Sequence, residues 1–164
     1  MRSGPVLRTF ALAAALAVAV GASVATAGDD QAPPPSGDGA EGGLPGFRSP
    51  SNNIHCMYDD GAVSDHAYPA YIRCDIQKIE GPSPPAPKDC DGEWGRSFSI
   101  SKDADTGELI CIGDTVYDET HPVLAYGTTW QKDGFTCASD ESGITCFNAL
   151  RHGFTVSRAN RRLF

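Results

Sequence analysis

The chain has 164 residues and six cysteines, with 13 basic residues against 21 acidic ones and a formal net charge of −8. This negative balance excludes generic nucleic-acid binding, because attraction to phosphate requires a positive footprint. The length allows a single domain with one hydrophobic core.

The first 27 residues have the order of a secretory signal. Arg2 and Arg8 precede an apolar run over residues 10–20, and small residues follow up to Ala27. The run is too short to span a membrane, so we expect cleavage near Ala27, a secreted product and no stable membrane anchor. Loss of both arginines leaves 11 basic residues against 21 acidic ones, a net charge of −10.

The rest of the chain divides into a leader and a domain. Residues 28–46 are rich in Gly, Pro and acids, which predicts a disordered leader. Residues 47–164 hold all six cysteines and both tryptophans, which predicts one disulfide-bonded domain.

Short runs of β-branched and aromatic residues recur in this domain between Gly, Asp, Asn and Pro clusters. They predict an all-β fold, a small disulfide-stapled sandwich or barrel-like domain of about eight short antiparallel strands. The expected strands are 53–58, 71–77, 96–102, 109–112, 123–126, 135–138, 144–148 and 154–158.

Six cysteines in an exported chain predict three disulfides. The last two flank the turn-like sequence Ala-Ser-Asp-Glu-Ser-Gly at 138–143 and can face each other across a hairpin. The first two lie on predicted strands that can pair across the loop 59–70. Zinc is disfavoured, because the sequence has no C-x-x-C pair and no H-x₃₋₅-H partner. Of the fifteen possible connectivities, we predict Cys56–Cys74, Cys90–Cys111 and Cys137–Cys146.

Several short phrases follow one another in order along residues 47–164. They read F-R-S-P-S-N-N-I-H-C at 47–56, I-R-C-D-I at 72–76, W-G at 94–95, C-I-G-D-T at 111–115, A-Y-G-T-T-W at 125–130, G-I-T-C-F-N at 143–148 and H-G-F-T-V-S-R-A at 152–159. Together they resemble a family of small secreted six-cysteine actinobacterial proteins with a domain of unknown function. The resemblance implies export and a compact disulfide-bonded β domain, and it implies no known reaction. Asn52 departs from the family phrase, which more often has Gly there, but Asn tolerates the left-handed backbone that such a turn requires.

Candidate catalytic groups are few. Asp114, His152 and Ser157 could meet at one end of a small sandwich, and a small extracellular hydrolase using Asp114 and His152 is therefore an alternative hypothesis. No G-x-S-x-G motif is present, and a His beside Gly is more typical of a turn or a buried hydrogen-bonding group. The segment 105–107 matches the aspartic-protease triplet, but a turn explains it better, and a loose calcium site through Asp103 and Asp105 is a weaker alternative.

The favoured hypothesis is a non-catalytic extracellular binding or interaction module, and a structural envelope component is a further alternative. For Trp94 and Trp130 we favour core placement, because a small β domain needs such aromatic residues in its core, whereas an exposed one would anchor a sugar or protein ligand. The acid-free tail 151–164 either docks on its own acidic domain or binds an anionic partner. We expect a monomer without cofactor or metal that binds an unknown extracellular or cell-envelope partner. The candidate surface residues are Trp94, Trp130, Arg151, Arg158, Arg161 and Arg162.

Overall fold

Two layers of antiparallel strands form the domain. The computed structural model describes residues 45–62 and 68–164, so the predicted signal at 1–27 and residues 28–44 of the predicted leader lie outside it. Within the described ranges, ten strands and no helix form two five-stranded sheets, in each of which consecutive strands pair. No helix there could therefore cross a membrane. The all-β sandwich expected from the sequence is confirmed.

The strands follow one another along the chain as two meanders. Sheet A contains β1 Gly46–Arg48, β2 Ile54–Asp59, β3 Tyr71–Ile76, β4 Glu93–Ser101 and β5 Glu108–Ile112. Sheet B contains β6 Thr129–Lys132, β7 Phe135–Asp140, β8 Gly143–Phe147, β9 Gly153–Val156 and β10 Arg161–Leu163.

The expected strand at 123–126 is wrong. Val123 makes only an isolated parallel bridge with Arg48, and the N–H of buried Leu124 donates to the Arg48 carbonyl at 2.9 Å. The apolar run therefore passes beside β1 without forming a ladder. The sequence analysis missed β1, β6 and β10, which are short edge strands without a clear apolar alternation.

Two disulfides stack at the centre of the sandwich. Each joins residues that face each other on neighbouring strands, Cys56 with Cys74 in sheet A and Cys137 with Cys146 in sheet B. The Sγ atoms of Cys74 and Cys146 are 3.8 Å apart, so the disulfide of one sheet contacts that of the other. The described residues contain the same three pairs that the sequence analysis predicts: Cys56–Cys74, Cys90–Cys111 and Cys137–Cys146.

Aromatic rings flank the stacked disulfides on both sides. Phe47 and Phe98 lie in register with the sheet A cysteines, and Trp130 and Phe154 with those of sheet B. The ring centroids of Phe47 and Trp130 are 5.5 Å apart, and those of Phe98 and Phe154 are 6.1 Å apart. The strands of sheet A thus pack on those of sheet B in the same order along the chain, from β1 on β6 to β4 on β9. Trp130 is fully buried, which confirms the favoured core placement, and its place among the candidate surface residues is wrong.

The connection between β5 and β6 crosses the outer face of sheet A. In this stacking β5 and β6 belong to opposite edges of the sandwich, so the chain must cross the sheet before β6 can pair with β7. We call residues 113–128 the crossing loop. Near its end, the Arg48 side chain on β1 donates to the His121 carbonyl at 3.1 Å, and the Arg48 N–H donates to the Pro122 carbonyl at 3.0 Å.

Polar side chains on the outer face of sheet A hold the start of this loop. Because Cys74 faces the core, its neighbours Arg73 and Asp75 face outward. Arg73 binds both carboxylate oxygens of Asp75 at 3.0 Å and reaches the carboxylate and the carbonyl of Asp114 at 2.9 Å. The Val116 N–H donates to Asp75 at 3.0 Å. The loop thus buries a charged cluster that an open sandwich face would expose.

Candidate functional site

A polar cleft of about 540 Å³ opens at one end of the sandwich. Alternate turns of a meander lie at the same end, which brings together the connections β1–β2, β3–β4, β7–β8 and β9–β10. We call this site the hairpin-end cleft. It is lined by Ser49, Ser51, Asn53, Ile54, Lys78, Tyr126, residues 140–143 and residues 157–160.

Two closed turns form the part of the cleft that belongs to sheet B. In the β7–β8 turn, the Ser142 N–H donates to the Asp140 carboxylate at 2.9 Å, and hydrogen bonds from Ser142 lower the pKa of Asp140. In the β9–β10 turn, the Ser157 hydroxyl accepts the Asn160 N–H at 3.0 Å. Gly143 has a φ of 142°, and a Cβ there would lie 2.3 Å from a β9 carbonyl oxygen. These turns therefore have little freedom to rearrange.

The part that belongs to sheet A is fixed by an asparagine. The side-chain amide of Asn53 donates to the Lys78 carbonyl at 3.1 Å and accepts the Lys78 N–H at 2.9 Å. This pair joins the β1–β2 turn to the chain leaving β3. The cleft carries charges of both signs, with Lys78 and Arg158 against Asp140 and Glu141.

Tyr126 is the aromatic residue of the cleft, and the residue is 44% exposed. It lies at the end of the crossing loop, next to Gly127, which has a φ of 80° and donates its N–H to the Ser139 carbonyl at 2.8 Å. The Thr128 hydroxyl closes the same turn on the Ala125 carbonyl at 2.7 Å. An exposed ring on a fixed turn, next to hydroxyl and amide groups, can stack on a ligand that also needs hydrogen bonds.

The two candidate catalytic residues lie apart in the described structure. The carboxylate of Asp114 binds Arg73 on the outer face of sheet A. His152 lies in the β8–β9 connection of sheet B, where its N–H donates to the side chain of Asn148 at 3.1 Å. No hydrogen bond or ion pair within residues 45–62 and 68–164 joins Asp114 to His152, and neither lines the cleft.

The basic tail docks in part on its own domain. Arg158 forms an ion pair with Glu80 at 2.9 Å, and the Arg161 side chain donates to the carbonyls of Glu80 and Pro82 at 3.3 and 3.0 Å. Of the predicted surface residues, Arg158 alone lines the cleft. Three others lie outside it: Trp94 donates to the Pro84 carbonyl, Arg151 stacks on Phe147 and Arg162 on Phe164.

His55 is a fully buried titratable group beneath the crossing loop. Its ring lies 4.3 Å from that of Tyr117, and its Nε2 is 3.3 Å from the Asn52 carbonyl. Its Nδ1 lies 3.1 Å from the Asp118 carbonyl and 3.3 Å from the Asp118 backbone nitrogen. A neutral ring protonated at Nε2 can donate to the Asn52 carbonyl and accept the Asp118 N–H. Burial lowers the pKa of His55 below its ordinary value of 6.5, and this effect outweighs the hydrogen bonds to the Asn52 and Asp118 carbonyls, which act in the opposite direction.

We expect acid to destabilise the domain through His55. Below about pH 6.5 the His55 ring binds a proton in the unfolded chain, whereas the buried ring of the folded chain stays neutral. The free energy of unfolding therefore falls as pH is lowered from about 6.5 towards 5. Urea denaturation across this range measures the slope. His55→Gln should lose most of it, whereas His121→Gln serves as the control for the other histidine facing the ring. An equal slope in His55→Gln and the unmodified protein would contradict this assignment.

Sequence comparison places the domain among proteins without an assigned activity. A family model described as "Family of unknown function (DUF6636)" matches residues 34–164. This match begins inside the predicted leader and includes every described residue. No curated protein and no solved structure gives a significant match.

Proposed function

The chain belongs to this family of unknown function, DUF6636, and from that premise we propose that it is an extracellular binding module that takes a glycan-type ligand in the hairpin-end cleft. The observation that carries the proposal is the exposed ring of Tyr126 in a polar cleft. The proposal includes export behind the signal at 1–27 by an actinobacterial host. The three disulfides support export, because such bonds persist in oxidising compartments.

The chemistry of the cleft favours a polyhydroxylated ligand. Hydroxyl, amide, carboxylate and ammonium groups line it together, so it offers both donors and acceptors. A sugar ring presents hydroxyl groups at its edge and C–H groups on its face, and the face can stack on Tyr126. Because the cleft holds charges of both signs, neither a strongly anionic nor a strongly cationic ligand is favoured.

The rigidity of the cleft supports a role in ligand binding. Its turns are closed by the hydrogen bonds of Asp140, Ser157 and Asn53. Behind them, the disulfide of each sheet packs against that of the other. A site that is ordered before the ligand arrives loses less conformational entropy on binding. The hydrolase alternative lacks comparable support, since Asp114 and His152 share no contact among the described residues.

The direct test is Tyr126→Ala. We expect at least a tenfold loss of affinity, about 1.4 kcal/mol, because the substitution removes the stacking surface and leaves the polar groups in place. The probe is a soluble fragment mixture prepared from the cell-envelope polysaccharide of the producing organism, and calorimetric titration measures binding to the oxidised protein.

The matched control is Tyr117→Ala. Tyr117 is 39% exposed and lies on the same crossing loop, but it does not line the cleft. It should change affinity less than twofold in our account, provided circular dichroism shows both variants folded. Equal binding by Tyr126→Ala and the unmodified protein, or no binding of any fragment, would contradict the proposal.

A further inference from the structure

The chain between β3 and β4 contains Pro-Ser-Pro-Pro-Ala-Pro at residues 82–87. Each of these six residues is either a proline or directly precedes one. Proline fixes φ near −65°, and a residue before proline is kept out of the helical region. These restraints favour an extended polyproline II conformation over residues 82–87, which form neither helix nor strand, and they leave the segment less entropy to lose on binding.

The segment is held to the domain through its backbone carbonyls. The Trp94 indole N–H donates to the Pro84 carbonyl at 3.0 Å, and Arg161 donates to the Pro82 carbonyl at 3.0 Å. Shortly after it, the Cys90–Cys111 disulfide joins the chain to β5. These contacts involve backbone carbonyls, and all four prolines are exposed.

The threefold period of this conformation separates an inner edge from two outer ones. Polyproline II has three residues per turn, so residues i and i+3 share an edge. Ser83 is half-buried against Gly95, where a Cβ would lie 2.2 Å from the Ser83 Oγ. The prolines fall on the other two edges, as the pairs Pro82 with Pro85 and Pro84 with Pro87. Both pairs have the P-x-x-P spacing.

We propose that residues 82–87 are a pre-ordered ligand for a partner protein whose binding groove is lined by aromatic side chains. Such grooves take P-x-x-P segments because the extended conformation is already formed and the rings fit between aromatic side chains. This segment meets the requirement better than a flexible chain, because contacts with the domain hold Pro82, Ser83 and Pro84 before binding. This surface is separate from the hairpin-end cleft, and it contacts a protein rather than a glycan.

The test uses two probes with aromatic grooves, an SH3 domain and a WW domain. Either is titrated into the ¹⁵N-labelled oxidised protein while amide chemical shifts are followed. We expect at least one probe to bind with a Kd of about 1 mM or tighter and to shift the amides of Ser83 and Ala86. The double variant Pro84→Ala/Pro87→Ala should bind at least tenfold more weakly. It keeps the Pro84-position carbonyl that Trp94 uses, so the domain should stay folded.

Two controls make the outcome decisive. Pro69→Ala removes an exposed proline outside the segment and should leave probe binding unchanged. Tyr126→Ala should also keep it, while the double proline variant should keep glycan binding, so the two proposals fail independently. Unshifted Ser83 and Ala86 amides with both probes at millimolar concentration, or undiminished binding by the double variant, would overturn the inference.

Discussion

Replacing Cys56 and Cys74 by alanine should lower the free energy of unfolding by about 5 kcal/mol. The disulfide joins residues 18 positions apart in the sequence. Its loss gives the unfolded chain more conformational entropy, which lowers the free energy of unfolding by about 3 kcal/mol. Both cysteines are fully buried, and the Cys74 sulfur contacts Cys146 of the other sheet. The two substitutions therefore also leave a cavity at the centre of the core, which costs about a further 2 kcal/mol.

The Cys90–Cys111 disulfide supplies the matched control. Its sequence separation is 21 residues, so the entropic contribution is nearly the same, but Cys111 is exposed and Cys90 only half-buried. The Cys90→Ala/Cys111→Ala variant should lose about 3 kcal/mol. Guanidinium denaturation of both variants gives the comparison. An equal loss in the two variants would show that the stacked disulfides add no packing energy.

Replacing Arg73 by leucine should cost about 4 kcal/mol of unfolding free energy. The side chain of Arg73 is 9% exposed and that of Asp75 is 1% exposed, so the substitution leaves a buried carboxylate without its partner. It also removes both hydrogen bonds from Arg73 to Asp114 that hold the crossing loop. The double variant Arg73→Leu/Asp75→Asn should recover at least half of the loss, because no buried charge is then left unpaired.

Arg96→Leu is the control for this experiment. Arg96 pairs with Glu93 at 3.4 Å, and these side chains are 37% and 65% exposed. Surface pairs of this kind contribute below about 1 kcal/mol. Urea denaturation of the three variants measures the differences. If Arg73→Leu unfolds within about 1 kcal/mol of the unmodified protein, the buried cluster does not hold the loop as described.

The sequence predicts the fold well where local chemistry decides it. The turn composition at 138–143 indicates the β7–β8 hairpin, and with it the facing positions of Cys137 and Cys146. Asn52, in the β1–β2 turn, has a φ of 56°, which is the left-handed backbone expected there from the sequence. These features depend on residues close together in sequence, which short patterns can report.

The crossing loop is not predictable in the same way. Its path depends on how the two sheets stack, and that is decided by contacts such as Phe47 with Trp130 across the sandwich. The apolar run at 123–126 has the composition of a strand, but Leu124 is needed to fill the core beside β1. Tertiary packing thus overrides a local strand preference.

The residues of the hairpin-end cleft could not be predicted from the sequence for the same reason. Its Tyr126, Lys78 and Asn160 are far apart in the sequence, and no spacing marks them as neighbours. The sequence offered Trp94 and Trp130 as aromatic candidates, because composition cannot tell an exposed ring from a buried one. The segment 140–143 was visible as a turn, but its place beside three other connections follows only from the meander topology of both sheets.

Amide shift mapping of the oxidised protein with soluble envelope-polysaccharide fragments tests the binding proposal most directly. We expect saturable shifts concentrated at residues 51–54, 126–128, 140–143 and 157–160, and their loss in Tyr126→Ala. Shifts that gather instead around Arg151 and Arg162, or a spectrum that no fragment changes, would contradict a glycan site in the hairpin-end cleft.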